Sequence, residues 1–328
     1  MPDQKPDPSP GLSKYVWPVI GLAAVTFSAW LLYGELRSMS AADLWSSIRA
    51  ISLKDWVLAV LATLSAYAAL AGYDHIALLH LRRHVDWRFV TLCSFTTYAL
   101  SHNIGASVLS GSVVRYRAYS SRGLTGPEIG VLIGLCSFTF ALGVVLLTGL
   151  VLIVEPELMD RMGDFLPLKA STLLGAVLVG AVALYAAGSF LRLRTLEIGR
   201  LKLEYPRPGV VARQLVIGPL ELVSAAAILY FALPEAGNPG FLIVLGVFLV
   251  SFSAALLSHA PGGLGVIELV MVVGLPEMAP EDVIAALLLF RLLYLIIPFV
   301  CALVVVVAFE RSRLVQRRQQ PPRPLARS

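Results

Sequence analysis

The chain has 328 residues, 57% of them hydrophobic and 14% charged, and a formal net charge of +5. A soluble domain carries about 25% charged residues, so this composition excludes a water-soluble globular class. Backbone groups in lipid must be satisfied internally, which leaves helices or a closed barrel, and continuous rather than alternating apolar runs exclude the barrel.

Residues 1–14 are polar and proline-bearing and read as a disordered tail. Residues 15–34 are uncharged, about as long as a span requires, with no small-residue cleavage site to mark a signal peptide. Ser40 and Asp43 read as a capping box. Leu44, Ile48 and Ile51 follow at helical spacing, which predicts a short interfacial helix. Ser52 and Asp55 repeat the capping pattern and open a span that runs to about Leu81. Asp74 and His75, near its end, read as solvated at the interface.

A basic loop follows, with Arg82, Arg83, His84 and Arg88. Residues 89–114 carry no Asp, Glu, Lys or Arg, yet their middle holds Ser101, His102, Asn103, Gly105, Ser107, Ser110, Gly111 and Ser112. Polar, glycine-bearing sequence at membrane depth is tolerated only inside protein or beside water. A broken, re-entrant hairpin is therefore predicted here. Arg115, Arg117 and Arg122 come next, and Thr125-Gly-Pro-Glu128 opens a span over 129–154, with Glu128 as its N3 cap.

Residues 170–191 form another span. Residues 213–233 are interrupted by Gly218-Pro219 and Glu221. The run 236–267 breaks across 258–265, which is Ser-His-Ala-Pro-Gly-Gly-Leu-Gly. Residues 283–309 carry one charge, Arg291, and 310–328 read as a basic disordered tail. Cys93, Cys136 and Cys301 lie in apolar runs and read as small buried hydrophobes. The expectation is an all-α polytopic membrane protein with about eight hydrophobic segments in a single transmembrane domain, 15–309.

Orientation follows from Lys and Arg in short loops. Placing residues 1–14, 82–88, 113–124, 191–213 and the C-terminal tail in the cytosol puts most of the 26 Lys and Arg residues there. Both flanks of 89–114 are then cytosolic and both flanks of 241–275 external. Six segments cross and two dip in from opposite faces. The dipping segments also share a pattern, Leu100-Ser-His-x-x-Gly105 and Leu257-Ser-His-x-x-Gly262. Each is followed by a Pro-Glu pair opening a long helix, Pro127-Glu128 and Pro280-Glu281. Opposite entry with a shared pattern predicts an inverted repeat, with halves of about 54–154 and 212–309.

Charged groups inside the membrane are candidate functional residues because each costs about 2.5–3.5 kcal/mol or more there. Arg291 and Glu268 lie at matched depths of roughly 12–13 Å by helical rise, so an ion pair is expected, either structural or on a substrate path. Glu221 beside the Pro219 kink either lines a wet cavity or reaches cytosolic water. Arg115 and Arg117 suit phosphate or simply set topology. His102, Asn103 and His259 at the two breaks either bond freed backbone or line the path. No nucleophile–base set, metal-ligand cluster or phosphate loop stands out, so no catalytic residue, metal or cofactor is expected. Nucleic acid is not an expected partner.

Three stretches resemble the transmembrane region of the lysylphosphatidylglycerol synthase family: Tyr98 to Arg117, Pro261 to Glu268, and Leu289 to Pro298. In that family this region is the flippase part of a bifunctional protein. A separate cytosolic domain transfers an amino acid from aminoacyl-tRNA to phosphatidylglycerol, and exposure of the cationic lipid resists antimicrobial peptides. The resemblance implies a phospholipid flippase of a bacterial inner membrane acting on phosphatidylglycerol-type or aminoacylated lipid. Its functional positions would be Arg115, Arg117, Glu268 and Arg291. The sequence stops after the flippase-like region, so transferase activity is not expected of this chain alone. A homodimer is implied only by the resemblance. Two alternatives stay open: a non-transporting membrane subunit of a lipid-modifying enzyme, and a small-solute or ion-coupled transporter.

Overall fold

The computed structural model describes residues 41–104, 107–161, 171–191, 196–198, 201–203, 205–258 and 263–319. The predicted span 15–34, Ser40 and His259 lie outside them. The described chain is helical apart from one small antiparallel hairpin, β1 (Leu196–Ile198) and β2 (Leu201–Leu203), paired Leu196↔Leu203 and Ile198↔Leu201. Nothing in the hydropathy pattern marks this hairpin.

Helix α1 (Ala41–Ala50) is the expected short helix and packs against α11 (Pro280–Phe290). Its exposed Trp45 lies under the Arg49 guanidinium, 4.9 Å from the ring centroid. Helix α2 (Leu53–His80) starts where predicted, since the Asp55 N–H donates to Ser52 Oγ at 3.2 Å and satisfies one free donor of the first turn. Helix α3 (Trp87–Ile104) and α4 (Ser107–Ser120) form a helical hairpin. Arg122 lies over Phe89 at 4.2 Å, Arg115 over Tyr98 at 4.8 Å, and a Cβ on Gly111 would sit 2.6 Å from Ser101 Oγ. These pairings close in on the turn, so both feet of the hairpin stand at one end of the molecule.

Helix α5 (Gly126–Val154) begins with the predicted capping box. The Thr125 N–H and Oγ1–H both donate to Glu128 Oε2 at 2.8 Å. One turn, α6 (Leu158–Arg161), leads on to α7 (Ser171–Phe190) and, beyond the β-hairpin, to α8 (Pro208–Ala232) with Pro219 inside it. Helix α9 (Phe241–Ser258) and the short α10 (Val266–Gly274) make a second hairpin. After α11, a π-helical segment (Arg291–Ile296) passes into α12 (Ile297–Gln319). This last helix runs through Glu310, where the sequence suggests an unstructured tail.

Six described helical stretches are long and apolar enough to cross a membrane: 53–80, 126–154, 171–190, 208–232, 241–258 and 280–308. The number equals the expected six, but the membership differs. Residues 241–258 enter the set by length and composition, and 15–34 lie outside the described residues.

Helices α2 and α8 run antiparallel through the centre. Ser65 Oγ and Ser224 Oγ are 2.9 Å apart, and the Gly72 position faces Ile217. Helix α5 closes on α8 through glycine: a Cβ on Gly143 would lie 2.7 Å from the Gly218 carbonyl carbon. Small residues allow such backbone approach, which replaces the hydrophobic drive that lipid removes. Loops segregate by end. Arg83 Nε meets Glu128 Oε1 at 2.7 Å at the arginine-rich end, while Arg161 pairs with Glu277 at the other. Element lengths recur too. Trp87 to Phe241 and Gly126 to Pro280 are both 154 residues, and α3 and α9 are both 18 residues long.

Candidate functional site: two buried ion pairs and an aromatic path

Each hairpin is tied to the bundle by one buried ion pair. In the first, Arg115 of α4 meets Asp74 of α2, with Nη2 at 2.7 Å and Nε at 3.2 Å from Oδ1. Asp74 is fully buried and Arg115 is 5% exposed. Tyr119 donates its hydroxyl to Asp74 Oδ2 at 2.8 Å, and the Cys136 thiol donates to Oδ1 at 3.3 Å. The Tyr98 ring lies beneath the guanidinium. The carboxylate therefore has a fork of N–H donors and two further partners, the satisfaction a buried ion pair requires.

Two expectations are corrected here. Asp74 is no solvated interfacial residue, because Arg115 and Tyr119 of α4 and Cys136 of α5 pack over it and leave it fully buried. Cys136 is a hydrogen-bond donor as well as a buried apolar group, and Cys301 is exposed on the bundle surface, not buried.

In the second hairpin, Glu268 of α10 pairs with Arg291 at the start of the π segment, as the matched depths suggest. Its other oxygen accepts the Gly265 N–H at 2.8 Å, so the carboxylate also caps α10. Gly265 has φ +79°, a left-handed conformation that glycine adopts without strain.

Glu221 sits between the pairs, 2% exposed, with no cationic partner among the described residues. Tyr294 donates to its Oε1 at 2.6 Å, and the Tyr73 hydroxyl is 3.4 Å from Oε2. The expectation that Glu221 reaches cytosolic water does not hold, since this side chain points into tyrosines. Tyr294 is held in turn. Pro298 has no N–H for the Tyr294 carbonyl four residues back, and the Tyr67 hydroxyl donates to that carbonyl at 2.9 Å. Arg291 and Tyr294 both lie in the π segment, where Ile297 N–H bonds Leu292 O, within one turn of each other.

An aromatic path leads from Arg115 to Glu221. Tyr98 lies 6.2 Å from Tyr73 and 5.8 Å from His102, and His102 stacks on Tyr294 at 5.4 Å. Thr97 Oγ1, Ser101 Oγ and His102 Nδ1 are buried without a hydrogen-bond partner among the described residues. The Nδ1 of His102 therefore makes none of the backbone bonds expected of this residue, and Thr97 and Ser101 stand one turn apart against Gly111. Such groups are uncommon and call for an explanation.

The other expected residues are not gathered here. Arg117 is exposed on α4, and Asn103 is described only as part of α3. Asp74, Tyr73, Tyr98 and Tyr294 were missed as site residues. For Asp74 the available signal was a carboxylate inside a long apolar run; for Tyr294, a proline four residues later. Among the described residues no group of three His, Cys, Asp or Glu could hold a metal ion.

Residues 19–302 match the family described as the lysylphosphatidylglycerol synthase TM region. The chain is 28% identical over 302 residues to the uncharacterized protein slr0712 of Synechocystis, covering 92% of each. It is 30% identical over 284 residues to the inner membrane protein YbhN of Escherichia coli, covering 85% of this chain and 88% of that protein. A phosphatidylglycerol lysyltransferase of Bacillus subtilis is 23% identical over 322 residues, which span 94% of this chain but 36% of the enzyme.

Proposed function

The chain belongs to the lysylphosphatidylglycerol synthase TM region family, and from that premise we propose that it moves phosphatidylglycerol-type or aminoacylated phospholipid between leaflets of a bacterial inner membrane. A headgroup must cross about 30 Å of hydrocarbon, so a translocator needs an interior polar path while the acyl tails stay in lipid. The observation that carries this reading is a buried run from the Asp74–Arg115 pair through Tyr98, His102 and Tyr294 to Glu221, with a second buried pair, Glu268–Arg291, within one helical turn of Tyr294 in sequence. Ionisable groups at such depth are expensive and mark substrate or ion pathways. The orphaned Thr97, Ser101 and His102 atoms suit a polar headgroup passing the tip of the first hairpin.

In this reading the two hairpins dip in from opposite faces, one in each half (about 54–154 and 212–309) of an inverted repeat, with the arginine-rich end and both termini in the cytosol. Arg117, exposed beside the first hairpin, collects lipid phosphate at that face, while Arg115 and Arg291 meet it at depth. Asn103 and His259 are assigned to the same headgroup path from the sequence pattern alone. The chain acts as a transporter rather than an enzyme.

The test is flipping of fluorescent phosphatidylglycerol in proteoliposomes. Arg291→Gln, Glu268→Gln and Glu221→Gln are each expected to slow flipping on the order of tenfold, a barrier change of about 1.4 kcal/mol, while remaining folded by thermal melting. A wild type that flips neither phosphatidylglycerol nor its lysyl ester would overturn the proposal. Co-purification with a lipid-modifying enzyme would then favour the accessory-subunit alternative.

A further inference from the structure

Away from the buried path, α2 and α3 diverge to leave a surface groove of about 420 Å³. Its walls are Leu64, Tyr67, Ala68, Leu92 and Phe95, with Trp87 and Arg88 at its mouth. Leu64 and Leu92 are exposed, so the groove opens sideways, onto the surface that lipid covers. From Trp87 to Phe95 it runs about 12 Å along α3 by helical rise. This leads from the arginine-rich end into the depth of the bundle.

The mouth has a chemistry of its own. The Arg88 guanidinium lies over the Trp87 ring at 5.6 Å, and it forms no ion pair among the described residues. Arg82 and Arg83 stand in the same short loop. Trp is enriched at the membrane–water interface, and an Arg fork matches phosphate oxygens. A site with an apolar trough below and one free cation at headgroup level complements an amphiphile with an anionic head. Solutes without an apolar chain gain nothing from Leu64, Leu92 and Phe95. Neutral hydrocarbon gains nothing from Arg88.

We infer that this groove is a seat for an anionic phospholipid, with one acyl chain along α3 and its phosphate on Arg88. The inference rests on the translocator reading for its purpose, since it gives lipid a defined place beside the path. Tyr67, on the groove floor, is the residue whose hydroxyl holds the Tyr294 carbonyl, so an occupant would touch the support of the Glu221 cluster.

The experiment is photo-crosslinking of the full chain in phosphatidylcholine vesicles doped with phosphatidylglycerol or phosphatidylcholine carrying an acyl-chain diazirine, with adducts mapped by mass spectrometry. The exposed face of α7, with Leu173, Val177 and Leu184, serves as the internal measure of bulk lipid. The phosphatidylglycerol probe should label α2 and α3 around Ala68 and Phe95 several-fold above α7. Arg88→Gln should bring that labelling down to the phosphatidylcholine level. Ala68→Trp or Thr91→Trp, which fill the groove, should remove it for both probes.

Even labelling of groove and α7, or a phosphatidylglycerol preference that survives Arg88→Gln, overturns the inference. The same variants in the flipping assay separate the two proposals. Groove labelling with no flipping by wild type keeps the seat and sinks translocation. Flipping without groove labelling does the reverse.

Discussion

A carboxylate and a guanidinium buried together are stable only while both are present. Removing Asp74 would leave Arg115 charged in a site where it is 5% exposed. Asp74→Ala is expected to cost about 3–5 kcal/mol, read as a fall in the unfolding transition in detergent. The double variant Asp74→Ala/Arg115→Met should recover a good part of that loss, and simple additivity would show that the pair does not interact. Tyr67→Phe tests a neutral contact by the same logic. It strands the Tyr294 carbonyl, a buried acceptor, at an expected cost of about 1–3 kcal/mol.

At the scale of the element, Pro298 is the reason that carbonyl is free. In a Pro298→Ala background the new N–H can return to Tyr294 O, so Tyr67→Phe should lose less than half the stability it loses in wild type. An unchanged loss would mean that the π segment, not the proline, frees the carbonyl. Glycine placement gives a second test. Gly143→Ala drives a methyl into the Gly218 backbone and should cost about 1–3 kcal/mol. Gly130→Ala, with nothing within 4 Å of its Cβ, should be neutral or slightly stabilising.

The element scale also shows what the sequence could reveal. Ser52 with Asp55 and Thr125 with Glu128 mark helix starts because the cap and its partner are three residues apart. The polar run at Ser101 and His102 marks a turn for the same local reason. Tyr67 and Tyr294 stand 227 residues apart, and Asp74 and Arg115 stand 41 apart. Periodicity carries no information on which distant side chain will face a buried acid, so Asp74 looked like an ordinary residue near a helix end. Glu268 and Arg291 were easier, since both are isolated charges whose depths could be counted along the chain.

For the whole molecule, loop segregation makes a prediction about sidedness. Arg122 stands beside one end and Glu277 at the other, where it pairs with Arg161. In intact spheroplasts a membrane-impermeant maleimide should label Glu277→Cys and spare Arg122→Cys, in a background with Cys93, Cys136 and Cys301 replaced. The opposite pattern would reverse the proposed orientation. The 41-residue spacing of the first ion pair also constrains biogenesis. When α2 leaves the ribosome Arg115 has not yet been made, and an acid without that partner at this depth resists release into lipid. The partner is translated only after the loop and all of α3. Helix α2 is therefore best retained at the insertion machinery until the hairpin arrives, so that the two integrate as one unit and the first committed step of assembly is the neutralisation of a single charge.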